Sequence, residues 1–192
     1  MFVDLIGIFG FNDNDSERRI NFGGESRIAK GNFDSNYYQL YAAVGTSYAL
    51  SDNGTFTPVL SLGYTYVDED SYTEKGAGDL NLQVRSNDAD SLVLGIDGRF
   101  AFEFGESGSQ FTTHLGVGFD VLTDESTLIA SFVGGGSPFQ TTSAEPDEIV
   151  YGVGVGLTLN ATEGLQVLLN YEYEAREDFD NQMFNVSLRW KF

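Results

Sequence analysis

A chain of 192 residues is long enough for one domain, and its net charge of -19 excludes nucleic acid as a partner, because nothing in it would displace counterions from phosphate. Cysteine is absent, which removes disulfides and thiolate metal sites. No run approaches the roughly 18 uncharged apolar residues of a membrane-crossing helix, so any crossing must be made by a closed barrel of strands.

The 23 Gly, 3 Pro, 10 Tyr and 16 Phe favour strands and tight turns, an all-β chain. Met1 to Phe11 is apolar, lacks a basic start and carries Asp4. It reads as a strand, Phe2 to Asn12, and not as a signal peptide, so the chain is expected to be a mature product or a fragment. A second strand runs from Tyr37 to Leu50, with Leu40, Ala42, Val44, Tyr48 and Leu50 on one side.

Six further strands alternate cleanly with period two, which sends successive side chains to opposite faces. Phe56, Leu60, Leu62, Tyr64 and Tyr66 oppose Thr57, Ser61, Gly63 and Thr65; Leu92, Leu94, Ile96, Phe100, Phe102 and Phe104 oppose Gly95, Asp97, Arg99 and Glu103. Phe111, Leu115, Val117 and Phe119 then oppose Thr112, His114, Gly116, Gly118 and Asp120, and Tyr151, Val153, Val155 and Leu157 oppose Gly152, Gly154 and Gly156. Leu165, Val167, Leu169, Tyr171 and Tyr173 oppose Gln166, Asn170, Glu172, Glu174 and Arg176, and the last strand sets Phe184, Val186, Leu188, Trp190 and Phe192 against Asn185, Ser187, Arg189 and Lys191. In these six strands every charge falls on one face.

Connections alternate too. Ser51–Gly54, Gly105–Gln110 and Asn160–Gly164 are short and carry hairpin residues, whereas Asp13–Asn36, Asp68–Ser91 and Thr123–Glu148 are long, with a shorter one at Glu177–Gln182. Short turns at one end and long loops at the other predict an antiparallel up-and-down transmembrane β-barrel with eight strands in this chain, its turns periplasmic and its loops outside. Alternation alone leaves open a soluble barrel with the apolar face inward. Glycines crowded onto the polar face, and aromatics gathered toward strand ends, favour lipid outside and a filled lumen inside.

Asp97, Arg99, Glu103, Asp120, Glu172, Glu174, Arg176, Arg189 and Lys191 are then expected in the lumen as a charge network, either filling the interior or facing a polypeptide within it. His114, the sole histidine, lies six residues from Asp120 on one strand, about 20 Å at strand rise, too far for a catalytic pair. No G-x-S-x-G turn and no phosphate-binding glycine loop occurs, so catalysis, cofactor and metal are not expected. Acidic groups at Asn12–Asp15, Asp68–Asp70 and Glu145–Glu148 read as solvated loops.

Asn185, Ser187, Trp190 and Phe192 resemble the outer-membrane assembly signal, with Ser187 where Gly is usual. Thr57-Pro58, Gly63-Tyr64, Tyr72-Thr73-Glu74, Gly76-Ala77-Gly78, Leu80-Asn81-Leu82 and Asp90-Ser91-Leu92, with Val3-Asp4, Asn12-Asp13 and Ile20 to Gly24 before them, are similar in order and spacing to autotransporter β-domains. The chain thus resembles the C-terminal translocator barrel of an autotransporter. That family's barrel normally has twelve strands, of which this chain looks like the last eight.

The resemblance implies one domain over residues 1–192, truncated at its N-terminus relative to the family and placed in the Gram-negative outer membrane. The implied role is anchoring and translocation, supporting secretion or surface display of an N-terminal passenger. The implied partners are outer-membrane lipid, the barrel assembly machinery and the passenger polypeptide. A free-standing eight-stranded barrel with adhesive or structural loops is the alternative. If the chain were complete, an eight-stranded sheet would have to close by pairing Met1–Asn12 with Asn185–Phe192, since bare edges are not tolerated in lipid.

Overall fold

The computed structural model describes residues 1–123, 126–143, 147–161, 164–177 and 179–190. Its strands are β1 (Phe2–Phe22), β2 (Glu25–Gly45), β3 (Tyr48–Ser51), β4 (Gly54–Glu69), β5 (Tyr72–Thr73), β6 (Leu82–Val84), β7 (Asn87–Phe104), β8 (Ser109–Asp120), β9 (Thr127–Phe132), β10 (Phe139–Thr142), β11 (Ile149–Asn160), β12 (Leu165–Arg176) and β13 (Phe179–Trp190). A single 3-10 turn stands at Gly78–Leu80. An antiparallel sheet runs β1-β2-β4-β7-β8-β11-β12-β13, with β3 also paired to β4, and a second, four-stranded sheet runs β10-β9-β6-β5. The fold is an all-β half-barrel.

Among the described residues thirteen strands stand where eight were expected, and each addition has a cause. The Tyr37–Leu50 strand is broken: Thr46 and Ser47 leave the ladder, and β3 resumes it with an irregular register between Ala49 and Ser51. The Asp13–Asn36 segment is no loop. β1 and β2 pair without interruption from Phe2↔Gly45 to Phe22↔Glu25. The hairpin turns at Gly23 and Gly24, both with positive φ, a conformation glycine adopts without strain. Polar residues on both sides of its outer half hide it from a hydrophobic-alternation reading. The two longest loops carry β5, β6, β9 and β10, and of the expected connection Glu177–Gln182 residues 179–182 belong to β13, whose ladder with β12 reaches Arg176↔Phe179.

Cross-strand partners share a face, so one row fixes the sheet. Leu94 opposite Leu62 and Phe119 belongs to the apolar side, and Asp97 opposite Val59 and Gly116 to the polar side. The apolar side is uncovered: Leu94 is 49% exposed, Val155 43% and Leu115 69%. Among the described residues no large side chain is fully buried. A soluble barrel would hide these leucines and valines in a core, so that reading is overturned; so large an apolar surface is stable only against hydrocarbon. Aromatic contacts band this face at both ends. Phe9, Tyr38 and Tyr66 form a chain at the long-loop end, with ring centroids 4.8 and 6.2 Å apart, and Phe56 meets Phe100 at 4.8 Å toward the short turns.

The expected closure does not occur. β1 and β13 are the two edges of the sheet and share no ladder among the described residues.

Candidate functional site

The inner face carries two separate charge clusters in place of one network. In the first, the ladders set Arg99 opposite His114, His114 opposite Gly154 and Gly154 opposite Glu172, so one row crosses β7, β8, β11 and β12. His114 Nε2 lies 2.5 Å from Glu172 Oε2, and Nδ1 lies 3.5 Å from Asp97 Oδ1 without hydrogen-bond geometry. The bond to Glu172 passes over Gly154, where a methyl group would meet Glu172 Oε2 and His114 Nε2. Gly116 makes room for the Asp97 carboxylate in the same way. Arg99 Nη2 reaches the Tyr41 hydroxyl at 3.4 Å. These residues line an inner cleft of about 340 Å³.

The Glu172 carboxylate only accepts, so His114 Nε2 is the donor of this bond. Among the described residues His114 makes no hydrogen bond to a hydroxyl, so no nucleophile relay forms there. The arrangement is a clamp tying β8 to β12 across a glycine.

The second cluster lies toward the long-loop end. Asp120 is 2% exposed and accepts from Arg176 Nη1 and Nη2 at 3.0 Å, Ser91 Oγ at 2.6 Å and the Leu92 amide at 2.9 Å. Arg176 reaches over β11 to make this contact and also donates to the Asp147 carbonyl. A buried carboxylate so fully satisfied ties β7, β8 and β12 together.

The remaining predicted positions do not join these clusters. Glu103 and Glu174 are exposed and make no ion pair among the described residues, Arg189 donates to Gln166 at 3.4 Å, and Lys191 lies outside the described residues. Within the expected set Arg176–Asp120 is the one ion pair formed among the described residues. In β13, Asn185 and Ser187 face inward, with the Ser187 hydroxyl donating to Asn185 Oδ1 at 3.0 Å; Trp190 is exposed on the apolar side, and Phe192 lies outside the described residues.

A third assembly was missed by sequence reasoning. The connection between β4 and β7 docks on the inner face of the β1–β2 hairpin beyond the aromatic band. Arg18 Nε and Nη2 donate to Glu74 Oε1 and Oε2 at 3.0 and 2.5 Å, Arg18 Nη2 also donates to the Leu80 carbonyl, and the Leu82 amide donates to Glu74 at 2.7 Å. Burial pushes the Glu74 carboxyl up, but the Arg18 hydrogen bonds, the Leu82 amide and the Arg18 charge outweigh it and hold the group below its ordinary value. Ala77 packs against Ile20 and Ala29, and the Tyr72 ring stacks on Phe33 at 4.7 Å. Gly76, at φ +104, passes so close to the Ile28 carbonyl that any side chain would collide with it. Arg18 and Glu74 are 56 residues apart in sequence, and neither position signals the other. His114, like Asp97, Arg99, Asp120, Glu172 and Arg176, stands on the side of its strand that its parity implies.

Residues 1–172 match the family model described as the autotransporter beta-domain. The chain is 25% identical over 179 residues to "Outer membrane protein A" of Rickettsia conorii (strain ATCC VR-613 / Malish 7), covering 86% of this chain and 8% of that protein, so it spans a small part of that relative's length. The fold superposes on the translocator domain of the autotransporter NalP from Neisseria meningitidis with a TM-score of 0.70 and 19% identity, over 98% of this chain and 60% of that one. The chain's fold is that of a transport and anchoring barrel and not of a catalytic family. The chain belongs to the autotransporter beta-domain family, and its place is the Gram-negative outer membrane.

Proposed function

We propose that the chain is the translocator of a larger protein, anchoring it in the outer membrane and supporting secretion or surface display of a passenger joined on its N-terminal side. The observation that carries this reading is an open arc, apolar outside and polar inside, that superposes on part of a translocator barrel while its edges β1 and β13 share no ladder among the described residues. Bare strand edges in lipid leave backbone groups costing several kcal/mol each, so an open arc calls for further strands between β13 and β1. In this reading eight strands of the chain cross the membrane, β1, β2 continued by β3, β4, β7, β8, β11, β12 and β13, as one domain over residues 1–192 that is truncated relative to the family. The free-standing eight-stranded barrel with adhesive loops fits less well, because it requires the closure that is missing.

The lumen residues Asp97, Arg99, Asp120, Glu172 and Arg176, with His114, would then hold the wall rigid around the passing or resident polypeptide, and Glu103, Glu174, Arg189 and Lys191 would remain available to that polypeptide. Asn185, Ser187, Trp190 and Phe192 would be read by the barrel assembly machinery, and the exposed leucines, valines and aromatics would meet lipid. The test is protease shaving of intact cells carrying the full parent protein. A parent with the chain whole exposes its passenger to protease. One with residues 183–192 deleted leaves the passenger protected or degraded in the periplasm. Equal surface exposure in both rejects the reading.

A further inference from the structure

On the apolar side of β8, β11, β12 and β13, two rows of side chains stand apart with main chain between them. In one row Val155 pairs with Tyr171 and Tyr171 with Phe184; in the other Phe111 pairs with Leu157 and Leu157 with Leu169. Between the rows runs the pair Gly156↔Asn170. Both point to the inner side, where a methyl group at Gly156 would meet Thr112 Oγ1 and Asn170 Oδ1. From the lipid side only their backbone is met. The result is a groove of about 180 Å³, with two apolar banks and a floor of peptide.

The Tyr171 hydroxyl donates to Gln182 Oε1 at 3.1 Å, and Gln182 is the partner of Tyr173, two residues nearer the long loops. That bond draws the Tyr171 ring away from Leu169 and keeps the banks apart. Three inter-strand steps from β8 to β13 give the groove a length of roughly 14 Å, close to the roughly 15 Å of one hydrocarbon leaflet. Strand tilt inclines it toward the membrane normal, so a lipid tail can lie along it. Phe111, Leu157 and Leu169 are two, three and four residues from the short-turn ends of their strands. The groove therefore lies in the leaflet on the short-turn side, which in barrels of this class is periplasmic.

We propose that this groove holds one acyl chain of a periplasmic-leaflet phospholipid as a resident lipid. Wall and lipid are equally apolar, so hydrophobicity favours no patch of the wall over another; van der Waals contact does. A tail on a flat wall is touched from one side, and a tail between two banks from three. An empty groove would forfeit those contacts, and water finds no partner in it, because the Gly156 and Asn170 backbones are engaged in ladders on both sides. The inference rests on the outer-membrane placement and not on passenger transport.

The test uses the full parent protein in vesicles of phosphatidylethanolamine with a trace of the same phospholipid carrying a diazirine in its acyl chain. Photolabelling is mapped by peptide. Label per lipid-side residue is expected to be about fivefold higher on β11 and β12 than on β7, the worth of roughly ten extra atom contacts. Val155→Trp and Leu169→Phe fill the groove from opposite banks, and either is expected to bring β11 and β12 down to the level of β7. Ile96→Trp, exposed on the same apolar side but outside the groove, is expected to leave the difference intact. Even labelling of the unsubstituted parent overturns the proposal with no variant needed, and so does a difference that survives both fillings. Loss of the excess when lipid A is mixed into the vesicles gives the groove to the glycolipid of the other leaflet and overturns it as well. Display on intact cells reports on the translocator reading and photolabelling on this one, so the two fail separately.

Discussion

Gly154 and Gly152 lie two residues apart on the inner side of β11 and answer oppositely to an added methyl group. At Gly152 nothing stands within 4 Å of the methyl position, whereas at Gly154 the methyl would strike the bonded pair Glu172 and His114. Gly154→Ala is expected to break that bond and destabilise the barrel by about 1–2 kcal/mol, while Gly152→Ala stays within about 0.5 kcal/mol of the parent. Urea midpoints of the heat-modifiable band of the full parent protein measure the difference, and equal midpoints would remove the clamp from the account. The polar parity of His114 was legible from period two alone. That Glu172 would meet it was not, because strand pairing register is set by turns and bulges that alternation does not specify.

At the scale of the element, the docking of the β4–β7 connection on the hairpin hinges on one buried carboxylate. Glu74 is held below its ordinary value of 4.5, so its contribution is fully present above that pH and is lost as pH falls through the lowered folded value. Amide exchange over residues 72–84 is therefore expected to be slow at neutral pH and to quicken only below the ordinary carboxylate range. In Glu74→Gln, Arg18 and the Leu82 amide lose their charged acceptor, and the same amides should exchange faster at neutral pH by roughly 1–3 kcal/mol of lost protection. Unchanged exchange in that variant would mean that Ile20, Ala29 and Ala77 dock the loop unaided. Strands from Phe56 onward were readable because lipid on one side and a polar interior on the other impose alternation. The outer half of β1–β2 and strands β5, β6, β9 and β10 were hidden because beyond the membrane that contrast vanishes, and long-range pairing specifies them instead.

For the whole molecule, the inverted distribution of polarity predicts which faces accept charge. Leu94→Arg places a cation on the uncovered apolar side and is expected to cost about 2–4 kcal/mol of barrel stability, whereas Thr65→Lys on the inner side is tolerated within about 1 kcal/mol. Folding titrations of the full parent into lipid vesicles check both, and a harmless Leu94→Arg would mean that this face does not meet hydrocarbon. The all-β class and the short-turn, long-loop asymmetry were plain in the sequence, but closure was not, since edge pairing depends on curvature that composition does not encode. Two paired strands of 21 residues extend about 70 Å, yet a tilted crossing uses only about 9–11 residues of each. The remainder forms a stiff mast with Gly23 and Gly24 at its summit, where nothing crowds either glycine. A short epitope inserted between them would be lifted some 30 Å clear of the bilayer, within reach of an antibody on a living cell.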